Sequence, residues 1–205
     1  MDWMKRSKED TLKTREAILR TALDCFSTRG YALTTFAHIA ERLKLSKGAV
    51  FWHFKTKEEL LAEIFARMHE EYEPFKGVEA ATTLDEVKAT FMEWAQIVSS
   101  NRNQKRFLRF VISRVEWSEA LRNRLREHLE TMMVRDPFLN VEMCIERLKE
   151  AGEVDSPLSS KAIATLLRLT FFGIYREAFL RNVEVDVLET LSHGLDFIIQ
   201  GIRSK

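Results

Sequence analysis

Residues 46–57 read SKGAVFWHFKTK. On a helix turning roughly 100° per residue, Val50 and Phe54 fall on one side, Gly48, Ala49 and Trp52 on the opposite side, and Phe51 and His53 on the flanks. Burying Val50, Phe51, Trp52 and Phe54 together would require apolar surroundings almost all round a short, lysine-flanked helix. One reading therefore turns Val50 and Phe54 into a core and leaves the glycine side bare for a partner. Small residues at its start would let the helix sink toward the base edges of DNA, and Ala49 and Trp52 could touch thymine methyls. The competing reading makes Phe51 and Trp52 ordinary core residues and has Gly48 relieve a helix crossing.

The flanking sequence fits the first reading. Ser46 can cap a helix over 47–53. Upstream, residues 15–28 carry Ile18, Leu19, Ala22, Leu23 and Phe26 at helical spacing, and Gly30 follows as a left-handed stop. A short helix is expected from about Thr35 to Leu43, with Phe36, Ile39, Ala40 and Leu43 on one face. Downstream, Thr56 and Glu59 have capping-box spacing, so a fourth helix should run from Thr56 to about Glu73, before Pro74. Two short helices joined by a tight turn within a basic segment make a helix-turn-helix pattern. Residues 1–57 hold twelve Lys or Arg against six Asp or Glu, whereas residues 58–205 hold twenty against twenty-five. The formal charge of +1 thus conceals a basic end suited to phosphate.

The run TTFAHIAERLKLSKGAVFWHFKTKEEL, preceded by TREAILRTALDCFSTRGY, resembles the DNA-binding domain of the tetracycline-repressor (TetR) family of bacterial transcriptional regulators. The resemblance covers about residues 11–60; beyond residue 75 only helical character and length agree. It implies that Lys47, Gly48, Ala49 and Trp52, following the cap Ser46, line a major groove of double-stranded operator DNA. Thr34, Thr35, Phe51, His53 and Lys57 would then lie against phosphates. Many members carry tyrosine where this chain has Phe51, so contact there reduces to packing on sugar and base. The resemblance also implies a homodimer, joined by the last two helices of each subunit as a four-helix bundle.

The chain reads as all-α throughout: no glycine or proline stands between Gly77 and Pro137, which leaves little room for tight β turns. The expected organisation is a DNA-binding domain over 1–57 and a helical regulatory and dimerisation domain over 58–205, linked by the helix at about 56–73. Thr83 and Glu86 form a second capping box, starting a helix with Phe91 and Trp94. Further helices are expected over about 104–116, 118–134 and 138–151. Ser156 with Pro157 reads as the start of the penultimate helix. In the last two helices Phe171, Phe172, Phe179, Leu195, Phe197 and Ile198 exceed what one thin helical layer needs, which marks them as dimer-interface candidates; Gly173 and Gly194 would permit close contact. Phe91, Trp94, Phe107, Phe110 and Met132, with Met133 nearby, are candidates for lining a pocket for a small hydrophobic effector. The bland alternative for each is core.

Other classes find less support. No phosphate-cradling glycine loop, nucleophile motif or metal-ligand spacing is present, so no catalysis, cofactor or metal is expected, and an all-helical enzyme is a remote alternative. His69 beside Glu70, Glu71 and Glu73 reads as a charged helix end. A nearer alternative keeps the DNA-binding fold but answers to a protein partner or serves architecture; a filled middle domain would favour it, a cavity the effector. Cys25 and Cys144 suit reduced core thiols. No long apolar run or signal peptide appears, so a cytoplasmic protein off the membrane is expected.

Overall fold

A computed structural model describes residues 2–132, 136–180 and 185–203. Among them run ten α-helices: α1 Asp2–Arg29, α2 Phe36–Leu43, α3 Lys47–His53, α4 Lys57–Tyr72, α5 Leu84–Ser100, α6 Arg102–Ser113, α7 Glu119–Thr131, α8 Pro137–Glu150, α9 Ser160–Leu180 and α10 Val187–Ile202. A 3₁₀ turn covers Val78–Ala80. Met133 lies outside the described residues.

Two compact units share the chain. One takes Met1–Glu71 and Arg114–Val134, the other Tyr72–Ser113 and Arg135–Lys205. The packing boundary falls after α4 rather than at residue 57, because the inner face of α4, Leu60, Leu61, Ala62, Ile64 and Ala66, is buried with the N-terminal core.

The first unit is organised by local stops and caps. Gly30 ends α1 at φ +91°, with its N–H on the Phe26 carbonyl, and Lys44 ends α2 in the left-handed region at φ +55°. Thr35 caps α2 through a capping box in which His38, instead of the usual Glu or Gln, accepts from the Thr35 N–H through Nδ1. Thr56 Oγ1 accepts the Glu59 N–H, but the Glu59 carboxylate reaches one residue further back, to Lys55 N–H at 2.7 Å. Ile18, Leu19, Ala22, Phe26, Ile39, Ala40, Val50 and Phe54 fill the interior. Arg15 of α1 draws two other helices, α3 and α4, together: Nε donates to Glu63 Oε1 at 2.9 Å, Nη2 to Glu63 Oε2, Nη1 to the His53 carbonyl at 2.8 Å, and its guanidinium stacks 4.1 Å from the Phe54 ring centroid.

The second unit is built on α5, α8, α9 and α10. Thr83 and Glu86 form the expected capping box, and Asp136 and Asp186 cap α8 and α10. The penultimate helix does not begin at Ser156–Pro157. Ser156 Oγ accepts the Leu158 N–H in a turn, and α9 starts at Ser160 with the Ser159 hydroxyl accepting from Ala162 N–H. The Ser159 hydroxyl satisfies a free amide of the first turn, while Ser156 is spent on its own turn. Gly194 is fixed by packing inside the subunit: a Cβ there would stand 2.9 Å from Thr170 Cγ2 of α9. Cys25 and Cys144 are buried free thiols.

Glu63 has only 10% of its side chain exposed and Arg15 27%, so removing one partner leaves a charge without compensation. Glu63→Ala is expected to destabilise the protein by about 2–4 kcal/mol, read from chemical denaturation. A loss below about 0.5 kcal/mol would place the pair among the inconsequential surface bridges.

Candidate nucleic-acid interface

Helix α3 divides as its sequence pattern requires. Val50 and the C-terminal Phe54 are fully buried, while Phe51 and Trp52 are 50% and 64% exposed. Ser46 Oγ caps the helix by accepting the Ala49 N–H at 3.0 Å. Gly48 has no internal role of the kind the second reading gives it. A Cβ at this position would meet only Ser46 Oγ, at 3.7 Å, and its φ is ordinary, so no crossing or turn inside the protein calls for glycine. Lys47 and Trp52 beside it are exposed and Ala49 is partly so.

The flanking residues sort into two kinds. Thr35 is exposed; its Oγ1 accepts the His38 N–H and keeps its own proton to donate outward. Thr34 corrects an expectation, since its side chain is fully buried and its hydroxyl donates to the Gly30 carbonyl at 2.8 Å. It shapes the turn into α2 and cannot offer that hydroxyl to phosphate. Lys57 is half-committed: Nζ donates to the Tyr31 and Ala32 carbonyls at 2.9 and 3.1 Å and lies 4.6 Å from the Tyr31 ring centroid. It ties the α1–α2 turn to the start of α4, and one of its three protons stays unassigned. His53 is held by its carbonyl on Arg15, with its ring edge-on to Trp52 at 4.7 Å. Partial burial and the Arg15 charge push its pKa down.

Two supporting residues had no signal of their own in the sequence. Lys55 closes the C-terminal end of α3, with Nζ donating to the Phe51 and Trp52 carbonyls and lying 4.9 Å from the Phe51 ring centroid. Arg15 sits some thirty residues upstream, where only the fold brings it to α3.

The interface candidates on the last two helices separate by burial. Phe171 and Leu195 are fully buried in the subunit's own core, so they cannot meet a second chain. Phe172, Phe179 and Ile198 are half-buried against that core, and only Phe197, 78% exposed, is fully offered. The outer side of α9 instead presents Leu166, Leu169, Gly173 and Leu180, at spacings of three, four and seven residues; a Cβ on Gly173, or on Gly201 of α10, would meet nothing. That heptad spacing is readable in the sequence.

The five effector candidates do not assemble. Phe91 and Trp94 are buried in an aromatic cluster with Phe75, Phe138 and Phe171. Phe110 is buried and Phe107 half-buried, whereas Met132 belongs to the first unit, where it lines an open groove with Glu63, Ala66, Arg67 and Glu70.

A short capped helix with its outer face unclaimed by the fold, set against a second short helix within a three-helix core, defines a helix-turn-helix DNA-binding protein. Known proteins agree. A model of the family described as "Bacterial regulatory proteins, tetR family" matches residues 18–64. The transcriptional regulator TtgR of Pseudomonas putida is 24% identical over 207 residues, taking in 98% of this chain and 96% of that protein. AcrR of Shigella flexneri is 38% identical over 61 residues, 30% of this chain and 28% of that one. Among solved structures, NalD of Pseudomonas aeruginosa, the secondary repressor of the MexAB-OprM multidrug efflux pump, shares the fold with a TM-score of 0.77 at 20% identity, over 95% of this chain and 99% of that chain. SmeT in complex with triclosan does so with a TM-score of 0.77 at 23% identity, over 94% and 93%. Residues 18–64 thus form a DNA-binding domain of the tetR type, and the chain is a DNA-binding transcription regulator.

Gly48→Ala discriminates an external from an internal role. Replacing glycine by alanine in an open helical position should leave stability unchanged or raise it by up to about 1 kcal/mol. Operator affinity should fall by roughly tenfold or more, as a methyl group holds the helix away from the base edges. Thermal melts and gel-shift titration measure the two effects, and full retention of affinity would remove Gly48 from the DNA interface.

Proposed function

We propose that the protein is a homodimeric repressor that leaves a pseudo-palindromic operator when a hydrophobic, aromatic small molecule enters its second unit. The observation that carries the DNA half of this reading is the outer face of α3, whose glycine nothing inside the chain requires. Lys47, Gly48, Ala49 and Trp52 would read base edges, with Ser46 capping their helix. Thr35, Phe51, His53 and the remaining proton of Lys57 would meet the backbone. Two such helices, roughly 35 Å apart, reach successive major grooves on one face of the duplex.

Dimerisation is supported by the apolar seam of α9 and α10. Leu166, Leu169, Leu180 and Phe197 leave large side chains exposed, and the bare backbone at Gly173 and Gly201 would let a second copy approach closely. The effector half draws on relatives: NalD and SmeT are named as repressors of multidrug efflux pumps, and SmeT is known with triclosan bound. Release requires that the effector bind the DNA-incompetent conformation more tightly than the competent one. Among the described residues no helix is long and apolar enough to cross a membrane, which suits a regulator working in the cytoplasm where its operator lies.

Lys47→Ala and Trp52→Ala should weaken operator binding and blur sequence preference, with binding to unrelated duplex less affected. Gel shifts on specific and random duplexes measure this, and equal affinity of both variants and wild type would remove α3 from the interface.

Phe197→Glu should convert the dimer to monomer in sedimentation velocity at micromolar concentration, because an apolar interface does not accept an unpaired carboxylate cheaply. Wild-type protein that sediments as a monomer would defeat the dimer outright.

A further inference from the structure

The segment joining α4 to α5 carries three positive φ angles in five residues: Glu73 at +39°, Phe75 at +57° and Gly77 at +85°. Glycine adopts this region freely, but a large aromatic residue does so only when its surroundings compel it. Glu73 and Lys76 of the same segment are exposed and paired with each other, so the loop lies at the surface on either side of residue 75. Phe75 alone turns inward beside Val78 and is only 4% exposed. Its ring enters a ready-made aromatic box, with centroids 4.6 Å from Phe91, 4.7 Å from Phe138, 5.6 Å from Phe171 and 6.3 Å from Trp94. Those four rings are helix-borne, on α5, α8 and α9, whereas Phe75 hangs from a strained surface loop.

We infer that Phe75 is an internal plug: its phenyl ring occupies the site that an uncharged, planar aromatic effector takes, and the effector acts by turning that ring out. This inference rests on the effector reading above and assigns its site. Four rings disposed around a phenyl group bind planar aromatic compounds through the same offset and edge-to-face contacts they make now. Arg168, half-buried, lies 5.7 Å from the Phe138 centroid. The departing ring costs the protein its burial, but exit relaxes the left-handed backbone at residue 75, so the plug is held less firmly than a helix-borne phenylalanine would be. Phe75 also stands three residues past the end of α4, whose Glu63 grips Arg15 and, through it, the end of α3. Freeing the loop releases the C-terminal anchor of that helix. The effector therefore competes with a residue of the chain, and the apparent affinity is reduced by the fraction of time the plug is seated.

The test uses the full-length dimer and indole as probe. Phe75→Ala should melt below wild type and recover most of the loss on adding millimolar indole. By isothermal titration it should bind indole at least tenfold more tightly than wild type, because nothing has to leave. Well below its melting temperature, Phe75→Ala should also bind operator at least tenfold more weakly without any ligand, as the displaced state does. Should that variant fail to fold, Phe75→Leu, which keeps an aliphatic filler, should show the same two changes at reduced size. Indole binding no tighter than in wild type, or operator affinity unchanged in the folded variant, would reduce Phe75 to a core residue and overturn the assignment. Tight indole binding and weakened operator binding by Phe75→Ala, with wild type that keeps its operator at every indole concentration, would overturn displacement by an effector and leave Phe75 a filler of the box.

Discussion

Arg15 is engaged on every side at once. Its guanidinium spends two donors on Glu63 of α4 and one on the carbonyl that ends α3, and lays its flat face on Phe54. Planarity matters here: an ammonium group could satisfy the carboxylate but could not also fork to a carbonyl and stack. Through this one side chain the long first helix fixes where α3 ends and how α4 lies against it. The helix that would enter a groove is only seven residues long and has little stability of its own, so its direction is borrowed from neighbours. Val50 and Phe54 supply the apolar half of that support and Arg15 the polar half.

The helix-turn-helix was legible because its signals are local. Ser46, Thr35, Gly30 and the i, i+3, i+4 spacing of apolar residues each act over four residues or fewer, and each element formed where such a signal stood. Thr83 with Glu86 was equally local and equally clear. Ser156–Pro157 misled because Ser159 offers the same capping chemistry three residues later, and a pattern cannot rank two adequate caps. Thr34 misled for another reason. Whether a hydroxyl turns inward depends on whether a carbonyl, here that of Gly30, waits for it, and that is set by the three-dimensional turn.

The second unit was legible only as helices. Counting apolar residues in α9 and α10 signals surplus but not its direction, so Phe171 and Leu195, which close the subunit's own core, looked the same as Phe197, which faces out. Gly194 shows the ambiguity in miniature: glycine in a helix face implies a close neighbour, and that neighbour is Thr170 of the same chain. The aromatic cluster was anticipated through Phe91 and Trp94 but not through Phe75. A phenylalanine following Glu73 and Pro74 in a polar connection has no periodicity to declare it, and only its left-handed backbone reveals that it reaches inward.

The division of α3 into two faces has a bearing on how such a protein changes over generations. Everything that holds the helix in place uses Val50, Phe54, the Ser46 cap and the carbonyls at its end. Lys47, Gly48, Ala49 and Trp52 enter that scaffolding only through their backbone, as the Ala49 amide and the Trp52 carbonyl do. On the proposed reading, substitutions among these four would alter what the surface recognises while the fold beneath keeps its stability, so duplicated copies of the gene could drift to new DNA sequences without first passing through unfolded intermediates. The scaffold and the lettering on it are chemically separate, and selection can act on one while leaving the other alone.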